Sequence, residues 1–446
     1  MFNLYLRVVR ITCFFALIAA VFIGSSCAPP APNAPLQSVN SNVSNTASNA
    51  NASPAPAEPP APRADLTLPM LDALMSDEEF LTEAKNTVQL TDLEIKQLHD
   101  AAQKAVSNLS EDGNDTEVRS TRTASNEARR QIQDVLGSDR GNRFMALIDR
   151  RVSEGYVTNA KPNQVPGDTR IVVNAPAYRM DIFENGKLTQ SYKIGIGYPE
   201  FPLPQGVRSA KSIIFNPTWT PPDEAWVKGK IEPGKKIEAG SKLNPLGPIK
   251  IPIGLPSLIH GGKNPARLGT FASHGCVGLT NQQVQDFAMK LSALSGKPLT
   301  MGDIKGYEKA KTETKEVKLE KPVPVELRYE TIVVENGVLR IYRDVYEKGT
   351  NTQENLRAVL DTFGVPLDSI PADTRTNIVA ALEQMSLDAT GKEADGLTEA
   401  NNNSNAKNAN KGSGRVTSNI KGKKMVEFKL PELAGKGYPA PVGAQM

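Results

Sequence analysis

Between Ile259 and Asn281 the chain reads IHGGKNPARLGTFASHGCVGLTN, which gathers two of its three histidines, His260 and His274, beside Cys276. A cysteine attacks as its thiolate, and an unperturbed thiol is mostly protonated at neutral pH. An imidazole within hydrogen-bond reach overcomes that by taking the proton. His274 stands two residues before Cys276, so an extended backbone turns both the same way. His260 comes from a preceding strand and could reach across a neighbouring one. Spacing alone leaves both histidines open as the base. Gly275 lets the backbone come close to a bound carbonyl and leaves the amides of Gly275 and Cys276 to face a tetrahedral oxyanion. Such a set can perform acyl transfer through a thiol.

A structural zinc site built from His260, His274 and Cys276 lacks a fourth ligand, and the chain has no Cys-x-x-Cys pair. A small buried cysteine or a purely structural glycine loop would not require two imidazoles nearby. No metal and no cofactor is expected. The third histidine, His99, falls in a helical pattern without a partner in sequence and reads as an ordinary surface residue.

Export explains why this thiol stands alone. Arg7 and Arg10 precede an apolar run from Ile11 to Ile23, too short for a membrane span but fitting the h-region of a secretory signal. Gly24-Ser25-Ser26-Cys27 follows and resembles a lipobox, with Gly24 where that pattern prefers an aliphatic residue. Residues 1–27 are therefore expected to be a signal peptide that leaves Cys27 lipidated at the mature N-terminus and tethered to a membrane. With Cys13 in the removed segment, Cys276 is the thiol left in an oxidising compartment.

The elements that must position the site follow in order. Residues 28–64 are Pro, Ala, Asn and Ser and cannot bury enough surface to offset their ordering entropy, so they form a tether. Residues 65–157 carry helical signals, among them capping boxes at Ser76–Glu79 and Thr91–Glu94 and a stripe through Leu93, Ile95, Leu98, Ala102, Ala105 and Val106. This small helical domain is assigned no chemistry. Residues 168–303 read as a mostly β module with one main helix after Asn281, its expected N-cap. Asn185-Gly186 marks a tight hairpin. Residues 304–322 read as a charged linker and 323–390 as a small C-terminal α+β region. Residues 391–446 read as a low-complexity basic tail, with eight Lys/Arg against two Glu from 403 onward. The formal charge of +3 names no nucleic-acid partner.

His260-Gly261, then Ser273-His274-Gly275-Cys276 with Val277, and the loops Asn216–Pro222 and Asn244–Pro248, resemble the L,D-transpeptidase catalytic domain of the YkuD type over roughly Asp168 to Met301. The resemblance implies a β-sandwich-like fold of mixed sheets. It implies that Cys276 is the nucleophile, that His260 donates and accepts the proton, and that the Gly261 carbonyl orients the imidazole. His274, Gly275 and Ser273 would shape the pocket and oxyanion site. The implied substrate is a peptidoglycan tetrapeptide stem, whose acyl group passes through a Cys276 thioester with release of D-Ala and then to an amine in a 3-3 cross-link. Water as acceptor would make an L,D-carboxypeptidase, and a lysine of an envelope protein would make a protein-anchoring enzyme. A non-catalytic cell-wall-binding lipoprotein is the alternative of a different class. One position departs from the family: Gly278 stands where it usually has arginine. Lys263 and Arg267 are the nearby cations that could take its place.

Overall fold

The computed structural model describes residues 65–75, 77–106, 120–152, 161–220, 235–254, 257–389, 391 and 419–443. The expected leader with Cys27, the 28–64 tether, and Ser76, Pro221 and Pro222 lie outside them.

Helices come first: α1 (Leu68–Met75), α2 (Glu78–Val88), α3 (Asp92–Val106) and α4 (Thr121–Val152), the last broken at Gly137 by a φ of 74°. Asp77 caps α2 by accepting from the Phe80 amide at 2.7 Å. Thr91 and Glu94 exchange bonds of 2.9 and 3.2 Å at the start of α3, so the capping-box chemistry there is realised. Leu98 and Ala102 join Phe80, Ile132 and Phe144 in the core of these helices, whereas Leu93, expected in the same stripe, is 66% exposed. His99 does have a partner, Asp72, at 2.8 Å.

The catalytic region is mostly β. Its strands are β1 (Arg170–Asn174), β2 (Arg179–Glu184), β3 (Lys187–Lys193), β4 (Ile196–Gly197), β5 (Gly206–Phe215), β6 (Ile249–Pro252), β7 (Leu258–His260), β8 (Phe271–Ser273) and β9 (Val277–Gly278). Helices α5 (Asn281–Leu294) and α6 (Met301–Lys309) follow, then β10 (Lys315–Arg328). Eight of the strands form one mixed sheet in the order β3-β2-β1-β10-β5-β6-β7-β9, and β4 pairs with β8 in parallel. The β2–β3 hairpin turns at Asn185-Gly186, both at positive φ, as the Asn-Gly signal requires. Ile251, Ile259 and Val277 of successive strands pack with Val284, Phe287 and Leu291 of α5 in one core.

Two boundary expectations change. Residues 304–322 are not a linker: Thr300 and Asp303 close a capping box that starts α6, and β10 then runs through the sheet between β1 and β5. The alternation Val317, Leu319, Val323, Val325, Leu327 is a strand pattern that the intervening charges and Pro322 conceal, and the strand absorbs its prolines with a register shift between Lys318 and Val323. Beside the main helix α5, the shorter α6 begins at the end of that module. The 391–446 segment, expected as tail throughout, contributes β13 (Met425–Lys429) to a second sheet with β11 (Ile332–Glu335) and β12 (Val338–Tyr342). Leu430 and Leu433 sink into the core between that sheet, α7 (Gln353–Thr362) and α8 (Ala372–Met385). Its end then returns to the first sheet, where Val442 accepts from the Ser191 amide at 2.8 Å.

A buried polar network joins the two sheets. Arg179 donates to Asp181 at 2.8 Å, Glu335 at 2.6 Å and the Pro439 carbonyl at 3.0 Å, while Tyr438 reaches Asp181 at 3.1 Å. Arg179 and Glu335 are each about 95% enclosed, with side-chain exposures of 5% and 4%. Such a pair holds only when every partner is present.

Candidate active site

The site stands on the far edge of the large sheet. Lys250 of β6 pairs with His260 of β7, and His260 with Gly278 of β9. Paired residues share a face, so this row projects away from the face whose Ile251, Ile259 and Val277 are packed against α5. His260 is 3% exposed, with its Nδ1 2.7 Å from the Gly261 carbonyl oxygen. A carbonyl can only accept, so Nδ1 carries the hydrogen and Nε2 keeps its lone pair. Burial, and next the Lys263 charge, hold the His260 pKa down to about 3, against the opposing pull of the Gly261 and Leu246 carbonyls. The imidazole is therefore neutral and able to take a proton at neutral pH.

Cys276 enters from the turn before β9. Its Sγ lies 3.9 Å from the His274 carbonyl oxygen, and the backbone of Leu258, in the strand paired with β9, favours the thiolate. The imidazole ends β7 and the thiol directly precedes β9, the strand paired with β7 in parallel. Burial pushes the Cys276 thiol up, opposed by the Leu258 backbone and the Lys263 charge, so the resting pair is neutral on both sides. Cys276 is the free cysteine among the described residues.

The turn itself is braced from within. Ser273 is 2% exposed; its Oγ accepts from the Cys276 amide at 3.1 Å and donates to the Cys276 carbonyl at 2.5 Å. Ser273 thus fixes the turn, and the Cys276 amide, expected to face an oxyanion, is engaged in this state, leaving Gly275 as the other amide of the proposed pair. Gly275 sits at φ 81°, which a side chain would resist. Its carbonyl accepts from Ser257 at 2.7 Å, a contact for which the sequence gives no signal.

His274 points elsewhere. Its ring packs edge-on against Tyr198 at 5.1 Å and Phe201 at 4.6 Å, and burial followed by the Lys263 charge lowers its pKa to about 3. The Tyr198–Phe201 turn that grips it is laced to the motif through Tyr198 N–H to Ser273 O at 2.9 Å. The same turn is held from outside by the helical region: Thr67 Oγ1 donates to Glu200 O at 2.8 Å and Thr121 Oγ1 to Pro199 O at 2.6 Å. Both threonines are buried. A role for the helical region in positioning the catalytic domain, or in binding a partner, was open from the sequence, but no pattern singled out these two threonines.

Neighbouring residues complete the frame. Thr280, not Asn281, caps α5 with Gln283, and Asn281 Oδ1 instead accepts from the Gly262 amide at 2.8 Å. Gly247 of the Asn244–Pro248 loop sits so close that a Cβ there would come within 2.4 Å of the Gly262 nitrogen. A cavity of about 800 Å³ lies apart from the thiol, lined by Arg122, Arg129, Glu330 and Lys348 among others.

Residues 168–315 match the L,D-transpeptidase catalytic domain (YkuD) family. This stretch is an L,D-transpeptidase catalytic domain. A putative L,D-transpeptidase, YqjB of Bacillus subtilis, is 24% identical over 170 residues, covering 37% of this chain and 89% of its own length. Among solved structures, the catalytic domain of the E. faecium L,D-transpeptidase aligns over 37% of this chain and all of its own at 19% identity and a TM-score of 0.24. An L,D-transpeptidase from Mycobacterium smegmatis aligns over 36% of this chain and 58% of its own at 15% identity and a TM-score of 0.21. The L,D-transpeptidase module accordingly makes the chain an enzyme with a role in peptidoglycan. Its helices α1–α4 and its second sheet lie outside the matched residues.

Proposed function

We propose that the protein forms a thioester between Cys276 and a peptidoglycan tetrapeptide stem and passes the acyl group to an amine. The reading is carried by one observation: Cys276 lies one strand from a buried, neutral His260 whose Nδ1 hydrogen is taken by Gly261, within a domain of the L,D-transpeptidase family. Nε2 of His260 takes the thiol proton as sulfur attacks the diaminopimelate carbonyl carbon. The Gly275 amide faces the resulting oxyanion. The imidazolium returns its proton to the departing D-Ala amine as the carbon–nitrogen bond breaks, leaving the thioester. The side-chain amine of a second stem then attacks, His260 takes its proton, and the thiol re-forms with a 3-3 cross-link. Gly261 orients the base throughout, and His274 walls the pocket with Tyr198 and Phe201.

A cell-wall substrate places the enzyme in the envelope, where export and a lipid on Cys27 would hold it at a membrane. No helix among the described residues is long and apolar enough to cross one. The test is incubation of the protein with tetrapeptide stems followed by product analysis. Cross-linked dimers support transfer to an amine; trimmed stems alone identify water as acceptor; capture of an envelope protein identifies a lysine. Function intact in Cys276→Ala would show a wall-binding protein instead.

A further inference from the structure

Gly278 leaves a gap beside His260 that another residue fills. A Cβ built on Gly278 would meet the Lys263 side chain at 2.8 Å from Cγ, 3.0 Å from Cε and 3.3 Å from Cδ, so the lysine stem lies along the glycine. Neither side of that contact is loose. The Lys263 amide donates to Leu279 O at 3.0 Å, and Gly278 exchanges two bonds of 2.9 Å with Gly195. The other cation near the motif, Arg267, is directed to the Tyr198 hydroxyl at 3.2 Å and the Phe271 carbonyl at 2.8 Å, where it braces the loop. We infer that Lys263 is the cationic positioning residue of this site, standing where Gly278 has no side chain and steadying the anionic sulfur of Cys276 before it attacks. The inference rests on the proposed roles of Cys276 and His260.

The charge acts on the thiol and on both imidazoles, favouring the thiolate of Cys276 and the neutral forms of His260 and His274. The thiolate is the form of Cys276 that attacks. Other charges face the site from neighbouring elements: Lys250 opposite His260 on β6, Arg267 on the 265–267 turn, and Glu200 in the turn that grips His274. Lys263 is distinguished from them by acting on the thiol and both imidazoles together. Lys263→Met keeps the stem over Gly278 and removes only the charge.

The experiment is the pH dependence of Cys276 alkylation by iodoacetamide, a neutral probe, in full-length wild type, Lys263→Met and Lys263→Arg. The wild-type inflection moves upward by about one pH unit in Lys263→Met, as expected for removing one nearby cation, and stays in place in Lys263→Arg. A Lys263→Met profile that superimposes on wild type overturns the inference. Gly278→Ala gives a second reading that does not depend on the charge: alone it lowers Tm, and combined with Lys263→Ala it recovers, whereas additive losses would show that the two side chains do not share this space. Alkylation needs no turnover. Failure of the stems to acylate wild type therefore counts against the proposed function, while an unmoved inflection counts against Lys263.

Discussion

His260 Nδ1 lies 2.7 Å from the carbonyl oxygen of Gly261, so the imidazole hydrogen is held on the nitrogen that faces away from the reaction. In the proposed mechanism a backbone carbonyl takes the place that a carboxylate has in other triads, without adding a charge. The consequence is a neutral base beside a protonated thiol. With the His260 pKa down to about 3 and the thiol pushed up, the acylation rate should be level from about pH 5 to pH 8. Stopped-flow or quenched mass measurements of acylation across that range test this. A rise centred near pH 6.5, the ordinary imidazole value, would contradict it.

The same depressed values make stability fall in acid. Unfolded imidazoles bind protons near pH 6.5, while His260 and His274 resist protonation until about 3 in the folded chain. Between those limits the unfolded state holds more protons, so stability is complete above about 6.5 and is lost as the pH drops toward 3. Urea midpoints measured from pH 7 to pH 4 should decline, and His260→Asn should decline less steeply.

The helical region supports the site at a distance. Thr67→Val and Thr121→Val each remove a bond to the turn that holds Tyr198 and Phe201 against His274. Each should cost about 1 kcal/mol of stability and slow acylation without changing its pH dependence. Acylation rates identical to wild type would show that the helices do not steady the turn.

Between the sheets, Arg179→Met leaves Asp181 buried without its cation and Glu335 with Arg340 alone. A loss of about 3–5 kcal/mol in denaturant unfolding is expected. Replacing Arg179 at no measurable cost would mean the network contributes nothing to joining the sheets.

The candidate residues of this chain were easier to pick out in the sequence than several of the elements that hold them. His260, Gly261 and Cys276 stand out because a thiol, an imidazole and glycines close in sequence have few other uses together. The hairpin at Asn185-Gly186 and the cap at Thr91–Glu94 were readable because local hydrogen bonds decide them. β10 was not, since Lys, Glu and Pro between its apolar residues imitate a linker and only pairing with β1 and β5 makes it central. β13 was hidden for a related reason: a basic, sparsely apolar segment becomes a strand through the partner it finds in β12. The clamp from Thr67 and Thr121 joins residues far apart in sequence, and two threonines carry no pattern that announces it. The brace from Ser273 to the Cys276 backbone was not readable, because its neighbourhood in the turn, and not its residue type, sets what its hydroxyl can reach.

The central claim is that Cys276 carries the acyl group with His260 as its base. Intact-mass and peptide mapping of the protein after exposure to a tetrapeptide stem tests it most directly, with Cys276→Ala and His260→Ala alongside. The account predicts an adduct on Cys276 equal to the stem less its terminal D-Ala, none in Cys276→Ala, and slow formation in His260→Ala. Stem turnover that persists in Cys276→Ala, or an adduct on any other residue, would contradict it.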